Sequence, residues 1–251
     1  YRDHEAWSSL TNFIADVVIF YTLCKIRPEN KRLLLFVYFL SPIVFFSSYL
    51  EGQLDLVATS LMVVAVYRVI RYDILFASIF FASALLCKST AIIALPFMLI
   101  YLWRKKAYAS LIKFSIIVAM VYIAGSLPFI FDSKNYIQTV FFNPQQNFIF
   151  NSGYAIGHMQ LYPIIMILAA TIIRFAMYRK INSDLFLGYL LLPFVFLLIF
   201  AYPIPSLFVW IVPFLSIFVA QSSKKHLESF LIYILFCSVY IIFFLFLYLS
   251  I

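Results

Sequence analysis

Long apolar blocks follow one another along this chain, separated by short polar breaks. They fall at 10–25, 33–50, 54–69, 73–87, 90–103, 108–130, 160–178, 184–201, 205–221 and 228–250. A helix of about twenty such residues crosses the roughly 30 Å of bilayer hydrocarbon. The short alternating segments of a membrane β-barrel are absent. The pattern predicts an all-α, polytopic transmembrane helical bundle with about 8–10 membrane segments, a single transmembrane domain over 1–251.

The blocks 73–87 and 90–103 are open to two readings. One helix over 73–103 would run about 46 Å, too long for an untilted span, while each half would be about 22 Å. Charge decides between them. With a short hairpin broken at Lys88, all of the 18 Lys and Arg residues except Arg2, Lys88 and Lys134 fall on the cytoplasmic side. A single span reverses every later loop, destroys that asymmetry and strands Lys88 in lipid. The hairpin reading places Glu51–Asp55, Lys88, the extracytoplasmic loop 131–159 and the turn Tyr202-Pro203-Ile204-Pro205 on the outer face.

Composition sharpens this picture. The chain is 65% hydrophobic and 11% charged, with a net charge of +8. Its basic residues sit at block ends, which is a topology signal and not the footprint of a nucleic-acid partner. With 30 Phe, 18 Tyr and only 5 Gly, the composition points to an AT-rich bacterial source and so to a bacterial plasma membrane. The three cysteines lie at different depths and predict no disulfide. The chain opens on Tyr1-Arg2-Asp3-His4-Glu5, without an initiator Met or signal peptide. It reads as a fragment lacking its N-terminal part.

Charges and amides near hydrocarbon are the candidate chemistry. Gly52 allows a tight turn, with Asp55 in the first turn of the next helix and Glu51 about one turn before it. Helix capping is one role for these acids; orienting a polar substrate or a basic side chain is another. Gln53 can both donate to and accept from a sugar hydroxyl. Lys88 has apolar sequence on both sides. It either reaches the interface or binds a lipid phosphate, with Ser89 and nearby backbone N–H groups adding anion affinity. Pro96 is expected to kink the second half of the hairpin, being too deep to open it. Asp16 is an isolated acid inside the first span and must face protein or water.

The loop 131–159 mixes aromatics with amides, as in Phe141-Phe142-Asn143-Pro144-Gln145-Gln146-Asn147, and carries His158 near its end. This suits sugar contact, though an interfacial aromatic belt has the same composition. No zinc-protease helix, CxxC pair, P-loop or glycine-rich nucleotide fingerprint occurs. Nothing in the sequence requires a metal or other cofactor.

Two stretches carry a family resemblance. The run Ser41-Pro42-Ile43-Val44, Glu51-Gly52-Gln53-Leu54-Asp55-Leu56-Val57, Leu86-Cys87-Lys88-Ser89 and Leu95-Pro96 resembles the GT-C superfamily of integral-membrane glycosyltransferases. The likeness is to bacterial polyprenyl-phosphate-sugar-dependent mannosyltransferases and to the enzyme that adds the first mannose to the GPI anchor. Ser41 stands where that family often has Asn. The stretch Pro205-Ser206-Leu207-Phe208-Val209-Trp210-Ile211-Val212-Pro213 is similar to a second family pattern, with Ser206 and Leu207 departing from its Gln and Tyr.

The resemblance implies transfer of a mannose-like hexose from a polyprenyl-phosphate carrier, the lipid-linked donor acting as substrate with no separate cofactor. The acceptor would be a carbohydrate or lipid at the extracytoplasmic face, in cell-envelope polysaccharide or glycolipid assembly. Lys88 and Ser89 would bind the phosphate; Glu51, Gln53, Asp55 and His158 complete the substrate-binding candidates. The family's catalytic acid lies in a first outer loop, here expected upstream of residue 1, leaving Asp3 as the in-chain candidate base. Two rival classes stand beside this one: a transporter or flippase for a lipid-linked or small polar solute, and a non-catalytic membrane subunit.

Overall fold

The structure is a computed structural model. It describes residues 2–132, 136, 140, 153–156, 159–200, 205–221 and 226–249, with backbone alone at 2–6, 132, 154–156, 159, 226 and 247–249. Among the described residues the main helical segments are, in order, α1 Arg2–Ile26, α2 Pro28–Leu50, α3 Asp55–Ile70, α4 Ile74–Cys87, α5 Ser89–Arg104, α6 Tyr108–Asp132, α7 Pro163–Met177, α8 Ser183–Phe200, α9 Pro205–Gln221 and α10 His226–Leu249. Five are long and apolar enough to cross a membrane: Trp7–Ile26 in α1, α2, Tyr108–Phe131 in α6, α8, and Leu227–Phe246 in α10. This is a helical integral membrane protein. Between α6 and α7 the described residues include a two-stranded antiparallel pair, β1 Tyr154–Ile156 with β2 Met159–Leu161. The sequence reading had placed only loop there.

The chain packs as two compact units, Tyr1–Tyr67 with Ile204–Ile251, and Arg68–Pro203. In the first unit, α1 turns Asn12, Ala15, Asp16, Ile19 and Leu23 inward while Leu10, Phe13, Ile14, Val17 and Tyr21 are exposed. The inward stripe has helical spacing but carries the polar residues, as expected where lipid is the outer solvent. Between lipid-embedded helices the hydrophobic drive is weak, so packing and hydrogen bonds hold the unit together. Phe46 of α2 and Phe208 of α9 meet Tyr240 of α10 at ring-centroid distances of 5.9 and 4.6 Å. At the other end of α2, Asn30 Nδ2 donates to the Ala220 carbonyl at 2.7 Å.

In the second unit, α4 packs along α6, with Phe81 against Phe114 at 5.8 Å. Tyr101 of α5 stacks on Phe186 of α8 at 4.4 Å, and Phe97 meets Phe175 of α7 at 5.6 Å. The Arg104 guanidinium donates to the Ala176 carbonyl. The turns after α3 and α5 both end in a left-handed residue, Tyr72 at φ 59° and Lys106 at φ 58°. Each is followed by the paired backbone bonds that close a helix C-terminus: Tyr72 to Val69 with Asp73 to Arg68, and Lys106 to Trp103 with Ala107 to Leu102.

Among the described residues the helical path is interrupted at Ser41, at Lys88 and at Trp210-Ile211. Pro42 drives Ser41 to extended geometry at ψ 122°, and α2 restarts from the Ser41 carbonyl. On either side of that break α2 is π-helical, at Leu35–Phe39 and Phe45–Leu50. The chain between α4 and α5 breaks at Lys88, at φ −153° and ψ 120°. A 3₁₀ turn over Ser89–Ala94 follows, and regular α-helix begins only at Leu95. Pro96 therefore stands in the first turn of that α-helix, where a proline forfeits no helical bond, and does not kink it. The third break is at Trp210-Ile211, just before Pro213, which cannot donate to the Val209 carbonyl.

Candidate functional site

The turn from α2 to α3 is built around Gly52, whose φ of +67° favours a residue without Cβ. The Gln53 amide donates to the Ser47 carbonyl at 3.2 Å and the Glu51 amide to that of Phe46 at 3.1 Å. These wide closures leave the Ser48 carbonyl for a side chain. Asn12 of α1 takes it, with Nδ2 donating to Ser48 O at 2.7 Å and to Gln53 O at 3.2 Å. One buried amide thus fastens both sides of the turn to the first helix.

Asp55 is the first residue of α3 and is 3% exposed. Its Oδ1 accepts the indole N–H of the fully buried Trp210 at 3.2 Å. One turn further on, Thr59 Oγ1 donates to the Asp55 carbonyl at 2.8 Å. A buried carboxylate needs a donor such as the indole N–H, and a hydrogen bond to a charged group contributes about 1.5–3 kcal/mol. Glu51 and Gln53 are half-buried beside it in sequence, at the rim of the turn. The turn therefore has a fixed acid at Asp55 and two more accessible polar side chains.

A second polar cluster lies on α1. Asp16 is 3% exposed and accepts from the Tyr49 hydroxyl at 3.3 Å, with the Tyr38 hydroxyl facing the same carboxyl. Both phenols come from the π-helical turns of α2. Among the described residues no basic side chain pairs with Asp16.

In the second unit Lys88 is exposed and extended at the α4–α5 break, with Ser89 half-buried at the start of the 3₁₀ turn. Asp3 lies in the first turn of α1 with its side chain outside the described residues, as is the whole of His158. No group of three or more His, Cys, Asp or Glu side chains converges among the described residues.

Sequence reasoning singled out Asp55 but not its partner Trp210, which lies 155 residues away. It passed over Asn12, although Asn12 and Asp16 are four residues apart in an apolar run and so share a helix face. Comparisons with protein-family models, curated proteins and solved structures return no match for this chain.

Proposed function

We propose that this protein is a membrane glycosyltransferase of the GT-C kind, moving a mannose-like hexose from a polyprenyl phosphate to a carbohydrate or lipid acceptor at the extracytoplasmic face. The observation that carries the reading is the Asp55–Trp210 bond. The two stretches that resemble the family, around 41–57 and 205–213, meet through these two residues within one packed unit. Chance likeness of two distant segments gives no reason for them to meet in a buried, charge-assisted contact.

In this reading the acceptor hydroxyl attacks the anomeric carbon, forming a new C–O bond as the bond from that carbon to the phosphate oxygen breaks. The polyprenyl phosphate leaves with the electron pair, its charge met by Lys88 with Ser89. The hydroxyl proton passes to a carboxylate base, for which Asp3 is the in-chain candidate. Within the first unit, Asp55 with Trp210 holds in place the turn that carries Glu51 and Gln53. The lipid-linked donor itself supplies the leaving group, and the reading assigns no separate cofactor. The test is a transfer assay with polyprenyl-phosphate mannose and glucose in proteoliposomes. Covalent transfer by the protein, lost with Lys88→Ala, supports the reading; wild-type turnover in that variant removes the phosphate role.

A transport reading draws on Asp16, since an acid within a membrane segment also marks solute pathways. Solute uptake into proteoliposomes without a covalent product would favour it.

A further inference from the structure

Asp16 takes no part in the proposed transfer, and its surroundings raise a separate question of charge. A carboxylate within a membrane segment is costly unless something positive or a proton accompanies it. Here the neighbours supply oxygens and no cation.

Asn12 is the more telling neighbour. Its Nδ2 donates to two backbone carbonyls, which fixes the amide orientation. Its Oδ1 is then a fully buried acceptor with no donor, one helical turn from Asp16 Oδ1, which also lacks one. Two donorless acceptors on one inward helix face define a place that attracts positive charge.

The π turn Phe45–Leu50 of α2 closes on this face: the Ser48 carbonyl accepts from Asn12 and the Tyr49 hydroxyl donates to Asp16. The Tyr38 phenol adds another oxygen at the Asp16 carboxyl.

We propose that Asp16, Asn12 and the hydroxyls of Tyr38 and Tyr49 form an intramembrane site for a small monovalent cation. The donor set is oxygen alone, which suits hard ions over transition metals. A single carboxylate balances one positive charge, which favours a monovalent ion over calcium or magnesium. The site stands independently of the glycosyltransferase reading.

The probe is sodium, with potassium as the competing ion. Equilibrium binding of radiolabelled sodium to the full chain in nanodiscs, at mildly alkaline pH, is expected to show one saturable site. Asp16→Asn keeps the side-chain shape and is expected to weaken binding at least about tenfold. Thermal unfolding of the wild type is expected to rise in sodium or potassium chloride relative to choline chloride, and that difference is expected to vanish in Asp16→Asn. Absence of saturable binding of either ion to the wild type, with equal unfolding temperatures in all three salts, overturns the proposal and leaves Asp16 as a protonated acid. The wild-type measurements decide the question even where the variant fails to fold. Catalytic turnover enters neither readout, so failure of the glycosyltransferase reading leaves this test intact.

Discussion

The indole of Trp210 donates to the carboxylate of Asp55 at 3.2 Å, joining the break in α9 to the first residue of α3. Trp210→Phe keeps an aromatic ring but removes the donor and part of the buried indole, leaving a small cavity and a buried acceptor short of one partner. It is expected to destabilise the protein by about 1–3 kcal/mol. Asp55→Asn should cost less, since an amide oxygen still accepts. A double-mutant cycle on chemical unfolding in detergent is expected to give a coupling of about 0.5–3 kcal/mol. Strict additivity would show that the two side chains act separately.

Lys88 is exposed on extended backbone at the break between α4 and α5. Lys88→Ala is expected to shift stability by less than about 1 kcal/mol while lowering transfer by about 10²–10³-fold. Lys88→Arg, which keeps the charge in a different shape, should retain part of the activity. Matched measurements of unfolding temperature and turnover separate this from a merely structural lysine.

Asn12 fastens both sides of the Gly52 turn. Asn12→Leu fits an apolar helix face better but frees the Ser48 and Gln53 carbonyls. The expected result is about 1–3 kcal/mol lost and faster hydrogen exchange confined to residues around 48–55. Unchanged exchange at the turn would show that Asn12 does not hold it.

Lys106 carries a Cβ in left-handed geometry at the end of α5. Lys106→Gly is expected to be neutral or to stabilise by up to about 1 kcal/mol, whereas Lys106→Val should destabilise by more than that. Calorimetry or denaturant unfolding of the two variants checks the sign.

The helices were legible in the sequence because lipid imposes a simple rule: apolar blocks must be helical, and they end where charges and prolines gather. The break at Lys88 was legible for the same reason, since charge counting did not tolerate a single span there. Pro96 was misread because its depth was counted from Lys88, while the intervening 3₁₀ turn moves the start of regular helix to Leu95. Asp55 stood out as a charge in the wrong solvent. Its partner did not, because an indole in an apolar block looks like any other lipid-facing aromatic until the fold brings it round. The π turns of α2 have no sequence signature beyond the nearby Ser41-Pro42.

A π turn is a helix with one residue more than its turn needs, so α2 can change length in a way a regular helix cannot. Elsewhere in a membrane helix, losing a single residue swings everything beyond it by about 100° and turns a lipid face inward. Within Phe45–Leu50 the loss of one residue instead returns the turn to α geometry, and the flanking helix keeps its orientation. Only the side chains of that turn, Ser47, Ser48 and Tyr49, change places. A one-residue deletion there thus becomes a unit of variation that rewires the partners of Asn12 and Asp16 while the rest of the bundle stays as it was.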